Sequence, residues 1–98
     1  MRYKPRLDSN QKEVVEVLRK AGFRVLSLAA LGGGAPDLLV AHNHKMVLVE
    51  VKDGKKKPSA RKLTLAQEDF HKEWYKNVVT ILNPEDAMTT IDSHFSPL

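Results

Sequence analysis

The feature that most constrains the fold of this chain is a set of three charged residues at the ends of two apolar segments. Asp37 opens the apolar run at 38–41, and twelve residues separate Asp37 from Glu50. Glu50 and Lys52 close a second apolar run at 46–49. Such runs are typical of strands at the centre of a sheet that is covered on both faces. Because a buried charge is costly unless it is paired or binds a metal, we expect the three charges to converge on one site.

Length and composition indicate a single globular domain over residues 1–98, with 42% hydrophobic residues. The chain has no cysteine, which excludes a disulfide framework and a thiolate metal site and fits a reducing cytoplasm. No apolar stretch approaches the length of a membrane span, and the first five residues lack the apolar segment of a signal peptide. We therefore expect a cytoplasmic protein with no membrane partner.

Periodicity and capping residues predict an α/β fold with the order helix, three strands, helix, strand and short helix. The predicted elements are, in order, a helix over 10–21, strands over 24–28, 37–41 and 45–52, a helix over 64–76, a strand over 78–82 and a helix over 84–91. Thr64 and Gln67 form a predicted capping box at the start of the second helix. Residues 1–7 are expected to form a basic arm, and no structure is predicted for the tail at 93–98.

Strand geometry predicts how the three charges meet. Side chains alternate along a strand, so Glu50 and Lys52 point to one face and Val51 to the other. A hairpin would bring Asp37 close to Glu50, so that both carboxylates and the backbone carbonyl of Val51 offer oxygen ligands to Mg²⁺. Lys52 would then orient or deprotonate an attacking water, or stabilise the pentavalent phosphorus of a phosphodiester. The alternative is a surface salt bridge between Glu50 and Lys52, because this tripeptide pattern is common.

The distribution of charge indicates a polyanionic partner. The net charge is +4, and six basic residues against one acidic residue lie between Lys52 and Lys62. Because this run leaves the predicted metal site directly, we expect its side chains to bind DNA phosphates; they are Lys55, Lys56, Lys57, Arg61 and Lys62. The alternative is a solvated loop. Two glycines before Pro36, Gly33 and Gly34, would let a DNA backbone approach Asp37 closely.

The segments GAPDLLV at 34–40 and LVEVKDG at 48–54 resemble the PD-(D/E)xK nuclease superfamily, and within it the VRR-NUC branch. This branch comprises small virus-type replication-repair nucleases, which are common in phages and prophages. The resemblance covers most of the chain, from Asp8 to Leu82. It implies a restriction-endonuclease-like core with a mixed central sheet flanked by helices, Mg²⁺ or Mn²⁺ dependence, and hydrolysis of DNA. Archaeal Holliday junction resolvases are relatives, which implies branched or four-way junction DNA and a homodimer.

The same resemblance suggests roles for individual residues. It identifies Asp37 and Glu50 as the metal-binding acids and Lys52 as the catalytic lysine. Many members of the superfamily carry a glutamate on the first helix, and the matching position here is the neutral Gln11. Gln11 lies on the apolar stripe of its helix and is expected to point inward and orient a water beside the metal. The alternative is a simple polar residue in the first helical turn.

Gln67 and His71 lie one helical turn apart on the second predicted helix. The pair resembles the glutamine motif that follows the lysine in several nucleases of the superfamily. Gln67 would hold Lys52 or a phosphate oxygen, whereas the alternative is a residue that only caps the helix. For His71 we expect a surface histidine.

Two further classes of function compete with a metal-dependent DNA endonuclease. One is a non-catalytic DNA-binding or assembly module that has the same fold. The other is RNA cleavage by a metal-free acid–base pair with a histidine, as in the transfer-RNA splicing branch of the related fold. Asp37, Glu50 and Lys52 together favour the metal-dependent nuclease over the module, and the acid pair Asp37 and Glu50 argues against metal-free RNA cleavage.

Overall fold

The computed structural model describes residues 9–96, and the order of its elements is the predicted one. The helices are α1 (Ser9–Lys20), α2 (Leu65–Glu73) and α3 (Ala87–Phe95). The strands are β1 (Arg24–Ser27), β2 (Leu38–His42), β3 (Lys45–Val51) and β4 (Val78–Ile81). The predicted basic arm at 1–7 and the last two residues of the tail lie outside the described residues. Within residues 9–96, no helix is both long enough and apolar enough to cross a membrane.

The four strands form one mixed sheet in the order β1-β2-β3-β4. β1 pairs with β2 and β2 with β3 in antiparallel fashion, while β3 and β4 are parallel. Asn43 and His44 connect β2 to β3, and both have positive φ values, 49° and 67°. These values suit the two-residue turn that matches the twist of a hairpin. The parallel connection from β3 to β4 contains α2, as such crossovers usually require a helix. The predicted α/β class and mixed sheet are therefore confirmed.

The third helix starts later and ends later than the sequence predicts. Pro84–Asp86 forms a 3-10 turn, and the side chain of Asn83 accepts the backbone N–H of Asp86 at its start. α3 then continues to Phe95 and buries Ala87 and Ile91 against the core. The beginning of the predicted tail thus belongs to a packed helix, because an apolar stripe continues beyond Ile91.

The core lies on one side of the sheet, beneath α1 and α3. Alternate residues of β2 and β3 face these helices, as the strand period of two requires. The buried apolar residues are Val14, Leu18, Phe23, Leu38, Val40, Val47, Val49, Val51, Ile81, Ala87 and Ile91. This layer fixes the register of the sheet, since a shift by one residue would expose all of its inward side chains.

The other face of the sheet is covered only in part. It carries Leu39 and Leu48, which are half-buried, and α2, which lies beside it, has no buried residue. Met46 is 66% exposed and Leu26 is 59% exposed. The apolar runs in β2 and β3 therefore have two different causes, because one set of side chains forms the core and the other forms an open apolar face.

Candidate active site

The start of β2 holds Asp37 against the end of β3. Leu38 pairs with Val49, so the next pair in this antiparallel register brings Asp37 opposite Glu50. Oδ2 of Asp37 accepts the backbone N–H of Val51 at 2.7 Å. Its own carbonyl accepts the N–H of Leu28 at 2.8 Å, from the segment after β1. Asp37 is thus fixed on both sides, with its carboxylate at the junction of two strands.

Glu50 is buried and Lys52 is half-buried, so the two do not form a simple surface salt bridge. Glu50 is only 2% exposed, and the side chain of Lys52 is 16% exposed. Nζ of Lys52 lies 3.9 Å from Oε2 of Glu50 and donates to Oε1 of Gln67 at 3.1 Å. The predicted alignment of Glu50 and Lys52 on one face is confirmed, because the strand period places them on the side of the sheet that α2 partly covers.

Gln67 performs both of the tasks that the sequence suggests. Its Oε1 accepts the backbone N–H of Thr64 at 2.9 Å, while its own N–H donates to Oγ1 of Thr64 at 3.2 Å. These two bonds complete the capping box of α2. The same Oε1 also accepts from Lys52. The cap therefore fixes the oxygen that holds the ammonium group.

Gln11 lies inside the protein, as predicted, and is 6% exposed. It shares a face of α1 with the buried side chains of Val14 and Leu18. Among the described residues, no hydrogen bond joins Gln11 to Asp37 or Glu50. Its suggested role beside a metal stays a prediction.

Asn10 contributes to the site in a way that the sequence does not reveal. Its Nδ2 donates to the carbonyl oxygen of Lys52 at 2.9 Å and to that of Leu82 at 3.1 Å. These carbonyls follow β3 and β4, so one side chain ties the start of α1 to both strand ends. In the sequence, Asn10 is only the first residue of the predicted helix over 10–21, and its position next to Gln11 is the single hint of another role.

The basic segment leaves β3 directly beside this cluster. Its lysines at 55–57 and Lys62 are exposed, while Arg61 is half-buried and donates to the carbonyl of Gly54 at 3.2 Å. Oδ1 of Asp53 accepts the N–H of Lys55 at 2.9 Å, which shapes the turn. The structure thus presents these cations to solvent next to Lys52. Phosphate binding by them stays a prediction.

Gly34 is required by packing within the protein. Its φ is +82°, and a Cβ at this position would lie 2.4 Å from the carbonyl oxygen of Ala66 in α2. Gly33 also has a positive φ, +64°, but nothing lies within 4 Å of its Cβ position. Close contact with α2 therefore explains Gly34, whereas an approach of DNA to either glycine stays a prediction.

His71 is not the surface histidine that the sequence predicts. It is half-buried on α2, and its Nε2 is buried with no hydrogen-bond partner among residues 9–96. Burial, and after it the charge of Lys52, hold the pKa of His71 below its usual value of 6.5. The sequence does not indicate on which side of the helix this ring lies, because α2 is only weakly amphipathic.

The donor set at the strand ends suits a hard divalent cation. In the part of the chain that the structure describes, no three His, Cys, Asp or Glu side chains gather around one point. Two carboxylates, of Asp37 and Glu50, and the backbone carbonyl of Val51 are nevertheless the oxygen donors that Mg²⁺ uses when waters and substrate phosphates supply the remainder. The residues therefore fit one ion that is shared with a substrate.

Comparison with known families agrees with this geometry. Residues 4–78, more than half of the chain, match the model of the archaeal Holliday junction resolvase (Hjc) family. No curated protein and no solved structure matches the chain significantly. The matched segment contains the three charged residues, Gln11 and Gln67. Membership of this family indicates a nuclease. The chain belongs to the archaeal Holliday junction resolvase family, which is part of the PD-(D/E)xK nuclease superfamily.

Proposed function

We propose that this protein is a Mg²⁺- or Mn²⁺-dependent endonuclease that cuts branched DNA, with four-way junctions as its preferred substrate. The observation that carries the proposal is Glu50, a carboxylate only 2% exposed, held opposite Asp37 and beside Lys52 at a strand end. Burying an acid is costly, and a bound cation would offset that cost. Membership of a resolvase family supports the choice of DNA as substrate.

Each group in the cluster has a role that follows from its position. Asp37, Glu50 and the carbonyl of Val51 would hold the ion, which supplies charge neutralisation at the scissile phosphate and makes a water more acidic. Lys52 orients or deprotonates the attacking water, or contacts the phosphate itself. Gln67 keeps the ammonium group in place through its Oε1, 3.1 Å from Nζ. Positioning of this kind supplies a large part of the rate of such reactions.

The basic segment would hold the DNA backbone beside the cluster. The lysines at 55–57 and Lys62 are exposed, and Arg61 lies near the turn at Gly54. Contacts between basic side chains and phosphates do not depend on the base sequence, since every DNA sequence carries the same phosphate backbone. Recognition would then depend on the shape of the branched substrate. Gly33 and Gly34 would let the DNA backbone come close to Asp37.

We propose that the active form is a homodimer that pairs through the open apolar face. The apolar residues of β4 do not form this face, because Ile81 is buried and Val79 packs against the core. The open face instead contains a groove of about 470 Å³ between α2 and the sheet, formed mainly by Leu28, Leu31, Leu39, Met46, Leu48, Phe70 and Trp74. Apolar patches of this kind mark interaction surfaces. A dimer with twofold symmetry would place one active site at each of the two equivalent cleavage points of a four-way junction.

The resemblance to the VRR-NUC branch supports a phage or prophage setting for this nuclease. Residues 1–98 would then form one nuclease domain that acts in the cytoplasm of a bacterial or phage-infected cell. The absence of cysteine from the sequence fits that compartment.

A second candidate function is a non-catalytic DNA-binding or assembly module. The observation that favours it is Gln11, a neutral and buried residue at the position where many relatives carry an acid. Such a module would bind junctions equally well with and without a divalent metal.

A panel of substrates separates the two candidates. Purified protein is incubated with four-way, flap, splayed-arm and linear DNA, each with Mg²⁺, with Mn²⁺ or with a chelator. We expect cleavage of the four-way junction with either metal and none with the chelator. Junction binding without cleavage under every metal condition would instead support the module.

A further inference from the structure

The amide group of Asn10 connects three elements next to the site. Asn10 lies in the first turn of α1 and is half-buried. Its Nδ2 donates to the carbonyl oxygen of Lys52 at 2.9 Å, just after β3, and to that of Leu82 at 3.1 Å, just after β4. Carbonyl oxygens only accept hydrogen bonds, so the two bonds require both N–H groups of the amide nitrogen. A side chain that replaces Asn10 without loss must therefore be a double donor.

The carbonyl of Lys52 lies where the pairing of β3 with β4 ends. Val51 and Ile81 form the last pair of this parallel ladder. Beyond it, the N–H of Lys52 donates to the carbonyl of Ile81 at 3.0 Å. β4 then ends, and the chain continues into the 3-10 turn at Pro84–Asp86. Asn10 thus supplies a donor from α1 at the place where β4 has ended.

These bonds fix the main chain of Lys52 on both sides. Its N–H is bound by Ile81 and its carbonyl by Asn10, and because peptide groups are planar, the two bonds restrict both backbone dihedral angles of Lys52. The direction in which its side chain leaves the backbone follows from those angles. At the far end, Nζ donates to Oε1 of Gln67 at 3.1 Å. This long side chain is therefore held at its base and at its tip.

We propose that Asn10 is a positioning residue of the nuclease site, whose amide group holds the peptide group after Lys52 and so keeps the ammonium group beside Glu50. This role rests on the proposed nuclease function. The carbonyl of Val51 shares a peptide group with the N–H of Lys52 and points the opposite way, from β4 toward β2. Because Asn10 holds the next peptide group along the chain, it also limits rotation of this one.

Two asparagines with opposite hydrogen-bond roles provide a matched pair of variants. Asn10→Asp keeps the shape of the side chain but replaces the donor by an oxygen, which would lie against two carbonyl oxygens. Oδ1 of Asn83 accepts the backbone N–H of Asp86 at 3.0 Å, so Asn83→Asp retains its bond. Both variants change the net charge by the same amount. Only the loss of a donor distinguishes them.

Cleavage and binding are measured separately for the wild type, Asn10→Asp, Asn10→Ala and Asn83→Asp. Single-turnover cleavage of a four-way junction is followed with saturating Mg²⁺, and junction affinity is measured with a chelator, at a temperature where circular dichroism shows every protein folded. We expect both Asn10 variants to cut about tenfold more slowly or worse and to bind the junction within about twofold of the wild type. Asn83→Asp should retain both properties.

A merely structural role of Asn10 predicts a different result. Loss of folded protein would lower cleavage and binding to the same extent, whereas a displaced Lys52 slows only the cleavage step. Equal losses of cleavage and binding in the two Asn10 variants would therefore overturn the proposal. Cleavage at the wild-type rate in both of them would overturn it as well.

Nuclear magnetic resonance provides a readout that does not need activity. A fixed side chain places the two ε protons of Lys52 in different surroundings, so they have separate resonances, whereas free rotation averages them. We expect these resonances to merge in Asn10→Asp and to stay separate in Asn83→Asp. Unchanged resonances in Asn10→Asp would overturn the role of Asn10 alone. A wild type that cuts no DNA with any metal would overturn the nuclease function on which this role rests.

Discussion

Among single residues, Glu50 decides what the site can do. A carboxylate with 2% exposure is held in place by its neighbours although burial disfavours its charge. Nζ of Lys52 lies 3.9 Å from Oε2 of Glu50 and donates to Oε1 of Gln67. Buried ion pairs add little to stability, so their presence at a strand end points to a function.

Glu50→Gln keeps the shape of the side chain and removes its charge. We expect cleavage to fall by orders of magnitude, because an acid that holds the metal is lost. Stability should be unchanged or slightly higher, since a neutral amide costs less to bury than a carboxylate. Cleavage of a four-way junction and urea unfolding measure the two effects, with Asp53→Asn as the control in the adjacent turn. A folded Glu50→Gln protein that cuts at the wild-type rate would show that the site is assigned incorrectly.

Among the secondary-structure elements, α2 connects the site to the glycine segment. Its capping box supplies the oxygen that holds Lys52, and its first turn packs against Gly34. Few other contacts hold it, since none of its residues is buried. Small changes at its start are therefore expected to move Gln67 and to affect catalysis.

Gly34→Ala should displace the start of α2. The new Cβ would lie 2.4 Å from the carbonyl oxygen of Ala66, and the backbone has a positive φ. Gly33→Ala is the matched control, because its φ is also positive but the space around it is open. We expect about 1 kcal/mol of destabilisation from strain alone at Gly33, and a larger loss of stability together with slower cleavage at Gly34. Equal unfolding free energies for the two variants would show that the contact with Ala66 is unimportant.

Replacement of Lys55, Lys56 and Lys57 by alanine should weaken junction binding and flatten its dependence on salt. Each lost phosphate contact is expected to lower the slope of log affinity against log salt by about 0.9 for duplex DNA. Binding titrations at several salt concentrations give the slope. Alanines at three exposed basic residues of α1 and β1 are the control: Lys12, Lys20 and Arg24. A slope that is the same as in the wild type would identify the segment as a solvated loop.

For the protein as a whole, the open apolar face is the surface through which we propose that two copies associate. Its groove lies beside α2, on the side of the sheet that carries Glu50 and Lys52. Pairing through this face would therefore place the two sites near each other across a twofold axis.

Met46→Lys should convert the proposed homodimer to a monomer. Met46 is 66% exposed at the groove, and a charge there would remain unpaired in an apolar interface. Leu65→Lys is the control, because Leu65 is 81% exposed but does not line the groove. Sedimentation over a range of concentrations measures the state of each protein. A wild type that is strictly monomeric and cuts junctions fully would exclude the paired mechanism.

The order of the elements, the hairpin and the alignment of Glu50 with Lys52 follow from the sequence alone. Periodicity, turn residues and capping boxes act between neighbours in the chain, so they can be identified without a structure. The capping box at Thr64 is an example, since both of its bonds are present. The position of Asp37, Glu50 and Lys52 at strand ends was predictable for the same reason, because these charges stand at the ends of apolar runs.

Only the tertiary structure decided which distant residues meet. Asn10 reaches the carbonyl of Lys52, 42 positions away, and that of Leu82, 72 positions away. The packing of Gly34 on α2, the buried nitrogen of His71 and the open apolar face likewise arise from the way α2 lies beside the sheet. No local pattern encodes these contacts, because they depend on packing between segments that are far apart in the chain.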